Sequence, residues 1–128
     1  MKIIDIKTQD IRFPTSKDNL GTDAVHVDCD YSATYVTIFT DQKDLTGIGL
    51  TFTIGKGNDL CCTVIEYFKE FIIGKNVEEI EKNIASIWEK ITNHSQLRWV
   101  GPQKGVTHLA AAAFFLSLIH ISEPTRRW

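Results

Sequence analysis

The hydrophobic rhythm of this chain changes once, at Gly55-Lys56-Gly57, and that change constrains the fold more than any other feature. Before it, apolar and β-branched residues recur at every second position. Ala33, Tyr35, Thr37 and Phe39 alternate with Thr34, Val36 and Ile38, and Ile48, Leu50, Phe52 and Ile54 share one phase. The polar Asp41-Gln42-Lys43-Asp44 between these runs reads as a turn, and so short a connection favours antiparallel pairing. Near the start, Ile4 and Ile6 fall on one face and Ile11 and Phe13 on the other, which predicts a bulge or bend between the two pairs.

After the changeover the spacing becomes helical. Leu60, Val64, Phe68 and Phe71 or Ile72 make the apolar stripe of a first helix, capped by Asn58 or Asp59 and ended by Gly74. Val77, Ile80, Ile84, Ile87 and Ile91 make a second, with Glu78, Glu79, Glu81 and Lys82 on its wet side. A third begins near Val106, past the loop at Gly101-Pro102, and runs through the alanines. Strands first and helices afterwards predict an α+β fold, a three-stranded antiparallel meander followed by three helices. The 128 residues suffice for one domain and leave no room for a second large one.

Fourteen Lys and Arg against sixteen Asp and Glu give a formal charge of −2, which offers no field for nucleic acid or an acidic membrane. A small molecule or a protein is the expected partner. Three cysteines, Cys29 and the adjacent Cys61 and Cys62, make a poor disulfide framework and lack metal-ligand spacing. They read as small buried hydrophobes in a reducing compartment. Met1-Lys2-Ile3-Ile4-Asp5 carries an acid too early for a signal peptide, and the apolar run 109–121 is too short to span a bilayer. The chain is expected to be soluble and intracellular, cytoplasmic or mitochondrial.

One segment stands apart. Residues 14–30 form a long polar stretch with Gly21 and the acids Asp18, Asp23, Asp28 and Asp30, and loops of this length in a small domain are functional or disordered. Asp28-Cys29-Asp30 opens like a calcium loop, but Phe39 stands where the bidentate Glu belongs and Ala33 replaces the turn glycine. Gly55-Lys56-Gly57 could offer amides to an anion, yet lacks the rest of a phosphate-binding motif and reads equally as a flexible turn. The four histidines (His26, His94, His108 and His120) are scattered, and no Ser or Cys is marked as a nucleophile. Arg98-Trp99 could stack or pair across an interface, or simply anchor the structure.

Longer strings carry more information. Arg12-Phe13-Pro14-Thr15-Ser16, Gly21-Thr22-Asp23-Ala24 and Asp28-Cys29-Asp30-Tyr31-Ser32-Ala33 are similar to the opening of the L-fuconate dehydratases of the enolase superfamily. The resemblance continues in Gly49-Leu50-Thr51-Phe52-Thr53-Ile54-Gly55-Lys56-Gly57. It resumes in Gln96-Leu97-Arg98-Trp99-Val100-Gly101-Pro102-Gln103-Lys104-Gly105-Val106, in order and in register from about residue 3 to Phe115.

The resemblance implies an N-terminal α+β capping domain over 1–115 that closes a catalytic (β/α) barrel, here missing. The barrel would supply the acid/base groups and the three carboxylates that hold Mg²⁺. The metal would stabilise the enediolate formed when the proton α to a sugar-acid carboxylate is removed, before water is lost. By the same resemblance Gly21, Thr22, Asp23 and Tyr31 contact the substrate. A glycine permits close backbone approach, an Asp accepts from sugar hydroxyls, and a phenol both donates and accepts. Thr22 departs from the small residue expected at its position, although a backbone contact would survive the change. The residue types also allow an Asx turn at Asp23 and a strand-start anchor at Tyr31.

The partners implied are a sugar acid such as L-fuconate and the barrel of the same parent chain, itself expected to be a homo-oligomer. The segment 116–128 breaks the resemblance; it is similar to translated sequencing-adapter DNA and is expected to be foreign. The chain alone should then be inactive, with an apolar face exposed where the barrel would pack. The rival expectation is a free-standing small α+β binding or interaction domain.

Overall fold

The computed structural model describes residues 1–122. Strands β1 (Ile3–Arg12), β2 (Ser32–Thr40) and β3 (Thr46–Thr53) form one antiparallel sheet in the order β1-β2-β3. Four α-helices follow: α1 (Asn58–Tyr67), α2 (Val77–Lys82), α3 (Ile84–Thr92) and α4 (Val106–Ser122). The predicted α+β meander with helices after it is the observed architecture. α1 and α4 lie against one face of the sheet, with α2 and α3 packed on α4, and the core is built from Ile3, Ile6, Val36, Ile38, Val64, Ile65, Phe68, Ile72, Phe114 and Leu118, among others.

Three local expectations are corrected. The bulge in β1 lies between Ile3 and Asp5, where the register on β2 slips, and not between Ile6 and Ile11. It brings Ile3 and Ile6, rather than Ile4 and Ile6, into the core. The second predicted helix is two: α2 ends and α3 begins around Asn83, whose side-chain amide donates to the Glu79 carbonyl at 2.9 Å. The first helix stops as an α-helix at Tyr67 and continues as a 3-10 turn, Phe68–Phe71; its buried stripe runs through Cys61 and Ile65 as well as Val64, while Leu60 is exposed.

α4 carries apolar residues on every side, with Thr107, His108, Ser117 and His120 among them, and lies directly on β3. The contact is made by backbone. A Cβ on Gly47 would fall 2.2 Å from the Ser117 carbonyl oxygen, and one on Gly49 would fall 2.2 Å from that of Ala113. Glycine on the strand and alanine or serine on the helix let the two elements approach more closely than larger side chains permit. The helix passes residue 116 without a break and buries Leu118 and Ile121. No helix among the described residues is long and apolar enough to cross a membrane.

Candidate functional site

The long loop between β1 and β2 is closed at its neck. Phe13 N–H donates to the Tyr31 carbonyl at 3.1 Å, and the Thr15 hydroxyl bridges the two sides, donating to the Cys29 carbonyl at 2.8 Å and accepting from Tyr31 N–H at 3.0 Å. Asp30 ties the loop to the next turn. Its N–H donates to the Ile54 carbonyl at 3.0 Å, and its carboxylate accepts from Ser16 N–H at 3.1 Å. The hydrogen bonds from Ser16 hold the Asp30 carboxyl below the ordinary carboxylate range. The loop therefore stands at the same end of the sheet as Gly55-Lys56-Gly57, and a cavity of about 420 Å³ opens between them, lined by Ser16, His26, Asp28, Asp30 and Lys56 among others.

The structure groups all four residues singled out in the sequence within this loop and its neck. The Tyr31 hydroxyl donates to the Gly21 carbonyl at 2.6 Å. Gly21 has φ +71, and a Cβ there would collide with the Tyr31 hydroxyl, so only glycine fits both the left-handed backbone and the space. Tyr31 is braced from the other side by an edge-on contact with Phe52, ring centroids 5.5 Å apart. Partial desolvation, with Cys29 nearby, pushes its hydroxyl pKa up, so the group stays a donor. Thr22 donates to the Asn19 carbonyl at 3.1 Å.

Asp23 makes an Asx turn. One carboxylate oxygen accepts from Val25 N–H at 2.8 Å and from His26 N–H at 2.6 Å, the other lies 3.3 Å from His26 Nδ1, and Asp23 N–H donates to the His26 carbonyl. These amides, that of His26 foremost, hold the Asp23 carboxyl below its ordinary range. The anchoring roles allowed for Asp23 and Tyr31 are thus both present. The Asp23 side chain remains largely solvent-accessible at the loop surface, while Tyr31 is half-buried.

Beneath the site sits a buried carboxamide. Asn58, the first residue of α1, is fully buried. Its Nδ2 donates to Asp10 Oδ1 at 2.6 Å and to the Ala33 carbonyl at 3.1 Å, while Oδ1 accepts from the hydroxyls of Thr34 at 2.9 Å and Thr53 at 2.8 Å. All three strands are tied to the start of α1 through one side chain. Asp10, bonded to Arg12 and to Asn58, is held below the usual carboxylate range. Asn58 also holds the Gly55-Lys56-Gly57 turn, its N–H donating to the Gly55 carbonyl at 3.1 Å. The sequence suggested Asn58 as a helix cap; no side-chain cap bond is made, because the strands use the amide instead.

No family model matches the chain. Among curated proteins, Mitochondrial enolase superfamily member 1 of Xenopus laevis is 47% identical over 113 residues, which is 88% of this chain and 25% of the relative. L-galactonate dehydratase of Hypocrea jecorina is 43% identical over 111 residues, 87% of this chain and 24% of the relative. The crystal structure of human Mitochondrial enolase superfamily member 1 superposes with a TM-score of 0.89 at 38% identity, over 94% of this chain and 28% of that one. The fold is that of an enolase-superfamily N-terminal capping domain.

L-talarate dehydratase of Polaromonas sp. JS666, solved with Mg and L-glucarate, shares the fold with this capping domain at a TM-score of 0.65 and 16% identity. The chain spans about a quarter of the length of the curated relatives it matches. Among its described residues no three His, Cys, Asp or Glu side chains converge, so the capping domain's own donors do not fit a Mg²⁺ centre. The structure adds His26 and Lys56 to the candidate site. An Asp23-x-x-His26 spacing is the signal that could have pointed to the first; Lys56 stands in the Gly55-Lys56-Gly57 turn already noted, but only the fold brings that turn to the loop.

Proposed function

We propose that this capping domain, residues 1–115, is the specificity part of a Mg²⁺-dependent sugar-acid dehydratase of the L-fuconate type. Gly21, Thr22, Asp23 and Tyr31 would read the distal hydroxyls of the acid sugar, with the proton-transfer groups and the metal supplied by a barrel in the longer parent. The observation that carries this reading is the ordered loop itself. A polar loop braced at Tyr31–Gly21 and Asp23–His26, and opening onto a cavity with Lys56, is pre-organised for hydroxyl recognition. The relatives named above include a protein called L-galactonate dehydratase, which supports the reaction class. Residues 116–128 belong to the same proposal as a segment foreign to the domain; 123–128 lie outside the described residues.

The reading is tested by grafting residues 3–115 of this chain onto the remaining three-quarters of the frog relative. Loss of water from L-fuconate and from L-galactonate would be followed with Mg²⁺ present, beside the unaltered frog protein. Turnover by the graft with preference for L-fuconate is expected. A graft that folds but turns over neither acid, where the frog protein turns over one, would sink the proposal. The isolated 128-residue chain is expected to be inactive with both.

A further inference from the structure

Resting on the sugar-acid reading of the loop, we propose that Thr15 is a positioning residue for that site. It holds Tyr31 and Gly21 at a fixed separation without itself touching the substrate.

Thr15 lies half-buried where the chain leaves β1. Its hydroxyl has one proton, which goes to the Cys29 carbonyl at 2.8 Å, so none is left for a sugar. The same oxygen accepts from Tyr31 N–H at 3.0 Å. Its main-chain carbonyl accepts from Leu20 N–H at 3.1 Å, and Leu20 is the residue before Gly21. The Tyr31 hydroxyl then closes the circuit by donating to the Gly21 carbonyl at 2.6 Å. Thr15, Leu20, Gly21 and Tyr31 thus form a ring in which one peptide bond joins Leu20 to Gly21 and hydrogen bonds make every other link. Thr22 and Asp23 follow Gly21 directly, so a shift in the ring is passed on to them.

Anchoring of the loop and alignment of its residues are separable here. Valine has the shape of threonine but removes the acceptor of the Tyr31 amide and the donor to the Cys29 carbonyl. Phe13 N–H would still donate to the Tyr31 carbonyl, and Asp30 N–H to the Ile54 carbonyl, so the neck stays shut. What is lost is the link that sets the Tyr31 ring over Gly21. Serine keeps the hydroxyl and with it the ring. Contacts to distal hydroxyls are made alike in the bound substrate and in the transition state, whereas the proton-transfer groups are assigned to the barrel. Misalignment of the loop therefore falls on KM and spares kcat.

The graft of residues 3–115 onto the frog relative carries the kinetic test, with whichever of L-fuconate and L-galactonate the native graft turns over faster. Thr15→Val should raise KM roughly tenfold and leave kcat within about twofold, and Thr15→Ser should return KM to within about twofold of the native graft. A second measurement needs no turnover. In the 128-residue chain, nuclear Overhauser contacts between the Tyr31 ring and the Gly21 α-protons should vanish in Thr15→Val and persist in Thr15→Ser, with those of β2 to its two neighbours unchanged. A native graft that turns over neither acid defeats the sugar-acid reading and this inference with it. An active native graft whose KM is unmoved by Thr15→Val defeats this inference alone. So does a loss confined to kcat, a Thr15→Ser graft as impaired as Thr15→Val, or a Tyr31–Gly21 contact that outlasts the hydroxyl.

Discussion

The hydroxyl of Tyr31 reaches back ten residues to the carbonyl of Gly21 at 2.6 Å, and it occupies the space a side chain on Gly21 would need. Two of the four residues expected to touch substrate are therefore a pair whose first partner is each other. The glycine is required twice over, by its left-handed backbone and by the ring above it.

Gly21→Ala should disorder the loop with little effect on the sheet. The strained φ and the collision with Tyr31 together cost about 1–3 kcal/mol, confined to the loop. Limited proteolysis between residues 16 and 30 should become several-fold faster while the melting temperature moves by only a few degrees. Tyr31→Phe, which deletes one hydrogen bond worth about 1 kcal/mol, should produce a weaker form of the same change.

Asn58→Ala should be among the most damaging single substitutions in the domain. It removes from a fully buried position the one side chain that Thr34, Thr53, the Ala33 carbonyl and Asp10 share, although Thr34 keeps the Asn58 carbonyl and Asp10 keeps Arg12. A loss of about 3 kcal/mol in urea unfolding is expected. A shift in midpoint smaller than that of an ordinary surface substitution would contradict the clamp.

Acid should loosen the loop before it unfolds the core. The Asp23 carboxyl is lowered from an ordinary value of 3.8, chiefly by the His26 amide and then the Val25 amide. A carboxyl lowered in the folded chain stabilises fully above its ordinary value and ceases to do so as pH falls through the lowered one. The part of the Val25 amide shift that reports Asp23 should therefore appear only below about pH 4. Asp23→Asn should abolish that titration. A Val25 amide that shows the same change below about pH 4 in Asp23→Asn would count against the Asx turn as the cause.

Gly49→Ala should separate α4 from the sheet. The added methyl falls 2.2 Å from the Ala113 carbonyl oxygen, which is backbone and cannot swing aside. Overpacking of this kind costs about 1–3 kcal/mol, and Gly49→Val should exceed that range. Thermal unfolding followed by circular dichroism reads both, with Thr37→Ala on the half-exposed opposite face of the sheet as a mild comparison.

The meander was legible because β2 alternates without interruption and the helical spacing begins sharply after Gly57. What the alternation could not reveal is which face of β3 is inside. Ile48, Leu50 and Phe52 look like a core face, yet Gly47, Gly49 and Thr51 are the buried set, since the closest helix contact selects the smallest residues. The break at Asn83 was invisible because Ile80, Ile84, Ile87 and Ile91 keep helical spacing straight through it. Gly21, Thr22, Asp23 and Tyr31 came from the resemblance, and the local turn chemistry of Asp23 was readable beside it. His26 and Lys56 were not paired in the sequence, because 30 positions separate them and only the sheet brings their loops together.

The neck at Phe13 and Tyr31 has an evolutionary reading. A loop whose ends are already joined makes few demands on the sheet that carries it, and even doubling its length costs only about 0.6 kcal/mol in closure entropy. Residues between 16 and 30 can thus be exchanged, shortened or extended while the strands keep their register. A lineage holding this neck can try new ligand preferences one loop at a time, at almost no risk to folding.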